Sequence, residues 1–192
     1  MPSESLRRWR EERLPSFAQI EAAHAGIVGV GPGRRYTTQQ VNQAFVMLLS
    51  SQFQGFCRDL YSECVDAFCI SMPNANAEDA LRTLLTQGRK LETGNPNPGN
   101  LGSDFGRFGI ELWPAIRADH ADNERRRTEL ERLNAWRNAI GHQDFNKPDL
   151  QGRTTISFAQ VRSWRAVCRG LAKSLDRVMR AHLSALTGGN PW

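Results

Sequence analysis

From Thr37 to about residue 70, apolar side chains return every three or four positions: Val41, Phe45, Leu48, Leu49, Phe53, Phe56, Leu60, Cys64, Val65 and Phe68. That is the period of one helix face, and it predicts a long core-facing helix over 38–70. The "TTQQ" at its start is a Thr-x-x-Gln capping box, which places the helix opening at Thr37. A second stripe, Val161, Trp164, Val167, Cys168, Leu171, Leu175, Val178 and Leu183, predicts a closing helix over 158–186. Shorter helices are expected between them. One covers 77–91. One carries Phe105, Phe108, Leu112 and Trp113 on a face, with Ser103 or Asp104 as its cap and Pro114 as its kink or end. A highly charged one covers 124–142 behind Asp122 or Asn123. Leu6, Trp9, Leu14, Phe17 and Ile20 predict an opening helix over 4–24, interrupted at Pro15.

The intervening segments read as loops: "AGIVGVGPGRR", "MPNANAED", "TGNPNPGNLG" and a polar tail, "TGGNPW". The glycines of the first resemble a phosphate cradle, but Pro32 and the missing GK[ST] ending argue against one. Only "RTTISF" has strand character, and it has no evident partner. The fold class expected is all-α, an antiparallel up-and-down helix bundle. Its organisation is an N-terminal helix and Gly-rich loop over 1–36, a helical bundle over 37–186 and a tail over 187–192, together one compact domain.

Composition narrows the classes. No apolar run is long enough to span a membrane, and the N-terminus has no apolar signal region, so a cytoplasmic protein is expected. Cys57, Cys64, Cys69 and Cys168 form no CxxC pair, and three of them lie in the apolar stripe, which predicts buried thiols rather than a metal site. The net charge of +5 favours an anionic partner such as nucleic acid.

Candidate chemistry concentrates in "LNAWRNAIGHQDF", residues 133–145. Arg and His near a helix C-terminus meet the dipole and the unpaired carbonyls, and Gly141 can serve as a C-terminal glycine. That reading leaves Asn138 unexplained, a mediocre helix former one turn before His142. In the chemical reading, Asn138 and His142 share a face four residues apart, and the Arg137 fork reaches a phosphate presented near the imidazole. An imidazole can accept a proton at neutral pH, a guanidinium can neutralise phosphate oxygens, and Asn138 can orient His142 or donate to the phosphate. These are the minimal parts for RNA cleavage by 2′-hydroxyl attack.

The "RNAIGH" at 137–142 resembles the R-x4-H signature, with a polar residue after the arginine, of the HEPN domain family. Its position late in a charged helix that precedes another long helix is similar too, as is the character of "VNQAFVMLLSSQFQGFCRDLYSECVDAF" to the early helix of HEPN domains in RNA-processing and toxin systems. The resemblance covers residues 37–186. It implies an HEPN-like bundle that forms a homodimer and brings two signatures into one cleft. It further implies an endoribonuclease that needs neither metal nor other cofactor and leaves 2′,3′-cyclic phosphate and 5′-hydroxyl ends, in the manner of a toxin or defence effector restrained by an antitoxin or regulatory protein. Arg137 and His142 would be catalytic and Asn138 supporting. Where many relatives carry an acidic residue on the early helix, this chain has "SSQFQGF", with Gln52 and Gln54. Some HEPN domains are inactive modules that bind a protein or RNA partner, and that is the alternative function.

Arg125, Arg126 and Arg127 are either a solvated face paired with Glu124, Glu129 and Glu131 or an RNA-backbone track. Arg34, Arg35, Arg153, Arg162 and Arg165 can extend such a track. Trp136 can stack on a base, or pack in the core with Trp113 and Trp164. His24, His120 and His182 read as isolated. No helix-turn-helix is evident, which ranks a DNA-binding regulator last.

Overall fold

A computed structural model describes residues 1–27, 34–72 and 74–192, with the side chains of Ile27, Arg34 and Arg35 set aside. Among the described residues the regular structure is all helical. Most of "AGIVGVGPGRR" lies outside them.

The spine is α3, Arg34–Cys69, 36 residues and therefore about 54 Å long. It begins three residues before Thr37, so Thr37 does not occupy the capping position its motif suggested. Phe45, Leu49, Phe53, Phe56, Leu60, Cys64 and Val65 of the expected stripe are buried, while Val41, Leu48 and Phe68 are half-buried. Each fully buried side chain of this size contributes about 1.5–3 kcal/mol, which is why a stripe and not helix propensity fixes the element.

Two long helices, α8 and α9, pack along this spine. α9, Phe158–Thr187, is capped by Ser157, whose hydroxyl accepts the Gln160 amide at 3.1 Å, and it ends at Gly188 in the left-handed region at φ 70°. It runs parallel to α3: Asn42 reaches Ile156, Cys57 neighbours Cys168, and Cys64 neighbours Asp176. α8, Asn123–His142, runs antiparallel to α9, since Asn123 meets Ser174 and Glu129 meets Trp164. All four cysteines are free and buried, and burial pushes the Cys57 and Cys168 thiols up.

The N-terminal segment belongs to the same core. α1, Glu4–Arg8, continues as a π-helical turn, Trp9–Arg13, and α2, Phe17–Ile27, follows Pro15. Trp9 is fully buried against Phe53 and Phe56. Ser3 donates its amide to buried Asp176 at 2.9 Å, and Glu63 accepts from the Ser5 amide at 3.0 Å and its hydroxyl at 2.7 Å. The C-terminal tail also returns to the body, with Asn190 accepting from Arg180 and Trp192 packed on the core.

Several expected boundaries shift. The 77–91 helix is two pieces: α4, Ala75–Thr86, capped by Asn74, and a single turn α5, Lys90–Thr93. Asp104 does not cap its own helix; buried, it accepts the Lys90 and Leu91 amides at 2.8 Å and so caps α5. Half of the "TGNPNPGNLG" loop is helical, because Asn97 caps α6, Pro98–Phe105, with Pro98 at the first position where its missing N–H costs nothing. Pro114 neither kinks nor ends a helix: it lies in the first turn of α7, Leu112–Asp119. "RTTISF" forms no strand. Its Ile156 amide donates to Gln39 Oε1 at 3.2 Å and its carbonyl accepts from Asn42 at 2.9 Å, so α3 side chains take the place of a neighbouring strand.

No helix among the described residues is long and apolar enough to cross a membrane.

Candidate active site

The last turn of α8 is closed by the residues that follow it. Gln143 enters the left-handed region at φ 52°, and its amide donates to Ile140 O at 3.3 Å while the Asp144 amide donates to Ala139 O at 3.0 Å. Gln143 Nε2 adds a bond to Ile140 O at 2.7 Å. A non-glycine in this conformation costs about 1–2 kcal/mol, offset here by these bonds. Gly141 is therefore not the terminating glycine. It is helical and exposed, and a Cβ on it would meet Arg137 Nη1 at 3.8 Å and Met47 Cε of α3 at 3.9 Å.

Those bonds free the basic residues from capping duty. Arg137 is half-buried, and its Nη1 extends one turn forward to within 3.8 Å of where a Cβ on Gly141 would stand. It donates to Asn138 Oδ1 at 3.4 Å, and Asn95 Nδ2 donates to the same oxygen. Asn138 thus tethers Arg137 and leaves its own amide hydrogens to solvent. Among the described residues no hydrogen bond joins Asn138 to His142, so the imidazole is exposed without an orienting partner. Asp144 follows two residues after His142. A hydrogen bond from Lys147, and secondly the Asn146 amide, hold its carboxyl below the usual range, with a smaller attraction from His142.

A loop braced by α3 forms the wall of this site. Asn95 comes from the loop between α5 and α6, and the adjacent Pro96 carbonyl accepts from buried Asn134 at 3.3 Å, one turn before Asn138. Gln54 pins the same loop from α3, its Nε2 donating at 2.8 Å to both the Leu91 and Gly94 carbonyls. Gln52 accepts from Arg13 at 3.0 Å. Both glutamines of "SSQFQGF" are thus occupied as scaffold. An Asn/Pro-rich run with a capping Asn97 was the available signal that this loop is held rather than free.

The other candidates lie apart. Arg125, Arg126 and Arg127 precede Arg137 by ten or more residues, about 15 Å or more along the helix. Arg127 is taken up by Glu131 at 3.8 Å and by the Trp113 ring, 5.4 Å from its guanidinium carbon. Trp136 is 7% exposed and tilted against Phe145. It lines a cleft of about 340 Å³ with Arg132, Arg153 and Trp164, which Arg137 and His142 do not line. Trp164 is buried, its indole donating to Glu129 at 2.9 Å.

No protein-family model, no curated protein sequence and no solved structure matches this chain.

Proposed function

We propose that Arg137, Asn138 and His142 form an RNA-cleaving site at the end of α8, in an HEPN-like helical bundle. The observation that carries this is the division of labour at the helix terminus. Gln143 and Asp144 satisfy the Ile140 and Ala139 carbonyls, so a basic pair is not needed there for capping, yet Arg137 is tethered to Asn138 with its Nη1 over Gly141, the residue before exposed His142.

The chemistry follows from these groups. His142 takes the proton of a ribose 2′-hydroxyl as O2′ forms a bond to the adjacent phosphorus. Arg137 neutralises the non-bridging oxygens, where charge accumulates. The bond from phosphorus to the 5′-oxygen breaks, and that oxygen takes a proton from the imidazolium or water. The products are a 2′,3′-cyclic phosphate and a 5′-hydroxyl. Asn138 positions Arg137, and its exposed amide group can donate to a phosphate oxygen.

Asn138, Gly141 and His142 are exposed, an openness that suits pairing with a second copy to form a two-signature cleft. The same openness favours the second reading, a binding-only module whose basic end meets a protein or RNA.

Wild type, Arg137→Ala and His142→Ala, matched for fold by circular dichroism, incubated with a mixed RNA pool in EDTA, separate the two. The ribonuclease reading expects cleavage by wild type alone. Equal cleavage by all three places the activity elsewhere, and RNA retention without cleavage in all three supports the binding module.

A further inference from the structure

Between the first half of α8 and the middle of α9 runs an open groove of about 460 Å³. Arg125 and Arg126 of α8, Arg169, Lys173 and Arg177 of α9, and His120 from the turn before α8 line it; among the described residues no carboxylate does. Much of this lining is braced. Arg126 lies across Gly170 so closely that a Cβ there would stand 2.6 Å from Nε, and it donates to Asn123 Oδ1 at 2.8 Å and Asp122 Oδ2 at 3.3 Å. Arg177 donates to the two oxygens of Asp119 at 2.9 and 2.6 Å. His120 Nδ1 accepts the Asp122 amide at 3.1 Å, which leaves Nε2 to carry the hydrogen as a donor.

Against these braced groups, Arg169 and Lys173 are exposed and, among the described residues, take part in no ion pair. Arg169, Lys173 and Arg177 follow at four-residue steps, about 6 Å along the axis, a step comparable with adjacent phosphates on a nucleic-acid strand. Arg169 also lines a neighbouring cleft with Arg162, Arg165 and Glu21, where Glu21 pairs with Arg165 and Arg162 and Arg169 carry the positive surface toward the start of α9. Apart from the His120 imidazole, the groove offers no aromatic side chain for base stacking, and it has little apolar surface for insertion into a bilayer. Cations without base-reading groups contact phosphates and ignore sequence.

We propose that this α8–α9 groove binds the phosphodiester backbone of single-stranded RNA, independently of sequence and at a place distinct from the Arg137–His142 end, about 25 Å away along α8. The groove does not require cleavage to occur, and its binding persists when His142 is removed.

The test measures fluorescence anisotropy of a labelled oligouridine of about 20 nucleotides, and of oligothymidine of equal length, across a salt series in EDTA. The full-length His142→Ala protein serves as parent so that cleavage cannot blur the reading. Both strands should bind within a few-fold of each other. Arg169→Gln/Lys173→Gln should weaken binding about tenfold and lower the slope of log K against log salt by about 1.4, at roughly 0.7 per cation on a single strand. Arg58→Gln/Arg82→Gln removes the same charge from arginines paired with Glu92 and Asp66 elsewhere, and should change affinity less than about twofold. Equal weakening by both double variants would reduce the effect to net charge and overturn the groove. So would unchanged binding in the first, or capture by phosphatidylserine vesicles with no capture of RNA. Cleavage lost with His142 while the groove still binds would leave the two sites separate. Groove binding absent while wild type still cleaves would remove the groove alone.

Discussion

The two ends of α8 carry basic residues under opposite regimes. At the N-terminal end Asn123 is buried and joins three elements, donating to Ile116 O at 2.6 Å and Ser174 Oγ at 3.0 Å while accepting from Arg126. The arginines there are held by Asp122, Glu131, the Trp113 ring and the close surface at Gly170. At the C-terminal end Arg137 has one tether, and His142 projects into solvent. The first arrangement invests its polar groups in stability and a fixed shape. The second leaves its polar groups largely to solvent.

That contrast can be broken by asparagine deletion. Asn123→Ala strands a buried carbonyl and a hydroxyl and should cost about 2–3 kcal/mol in denaturant unfolding, whereas Asn138→Ala should stay within about 0.5 kcal/mol. Similar losses at both positions would mean that the C-terminal end is structural after all. A smaller effect sharpens the same comparison. Gly141→Ala meets only ordinary contacts in an exposed helical position and should stabilise by about 0.5–1 kcal/mol. Gly170→Ala forces Arg126 aside, which should cancel that gain, leave the melting temperature level or lower, and weaken RNA binding. Parallel rises in melting temperature would show that Arg126 is not braced as described.

The smallest expected effect concerns acid. His24 stacks on Phe158 with centroids 3.8 Å apart, and burial lowers its pKa. The folded state then prefers the neutral ring, so stability is complete above the unfolded value of about 6.5 and declines as pH falls below it. His24→Phe should remove that part of the pH dependence of unfolding; an unchanged slope would place it in another group.

Much of this fold was legible because the two long stripes are strongly periodic. Every residue of the α9 stripe except half-buried Val178 is buried. Boundaries were less legible, because capping residues look alike in a sequence: Asp104 caps a turn fourteen residues behind it, and Asn97 starts a helix inside an apparent loop. The segment Arg137, Asn138, His142 is contiguous and could be seen directly. Asn95 and Gln54, which shape its surroundings, could not, since amide side chains acquire meaning only from the carbonyls they meet. The α8–α9 groove was invisible for the same reason. Arg125 and Arg126 stood out as a run, but Arg169, Lys173 and Arg177 become their neighbours only once two antiparallel helices are packed.

The most direct test of the RNA-cleaving site is the chemistry of the ends it leaves. Fragments made by wild type in EDTA should carry 5′-hydroxyls that a polynucleotide kinase labels without prior dephosphorylation, together with 2′,3′-cyclic phosphates, and should be absent with His142→Ala. Fragments bearing 5′-phosphate and 3′-hydroxyl ends, or fragments that persist unchanged in His142→Ala, would contradict 2′-hydroxyl attack at Arg137 and His142.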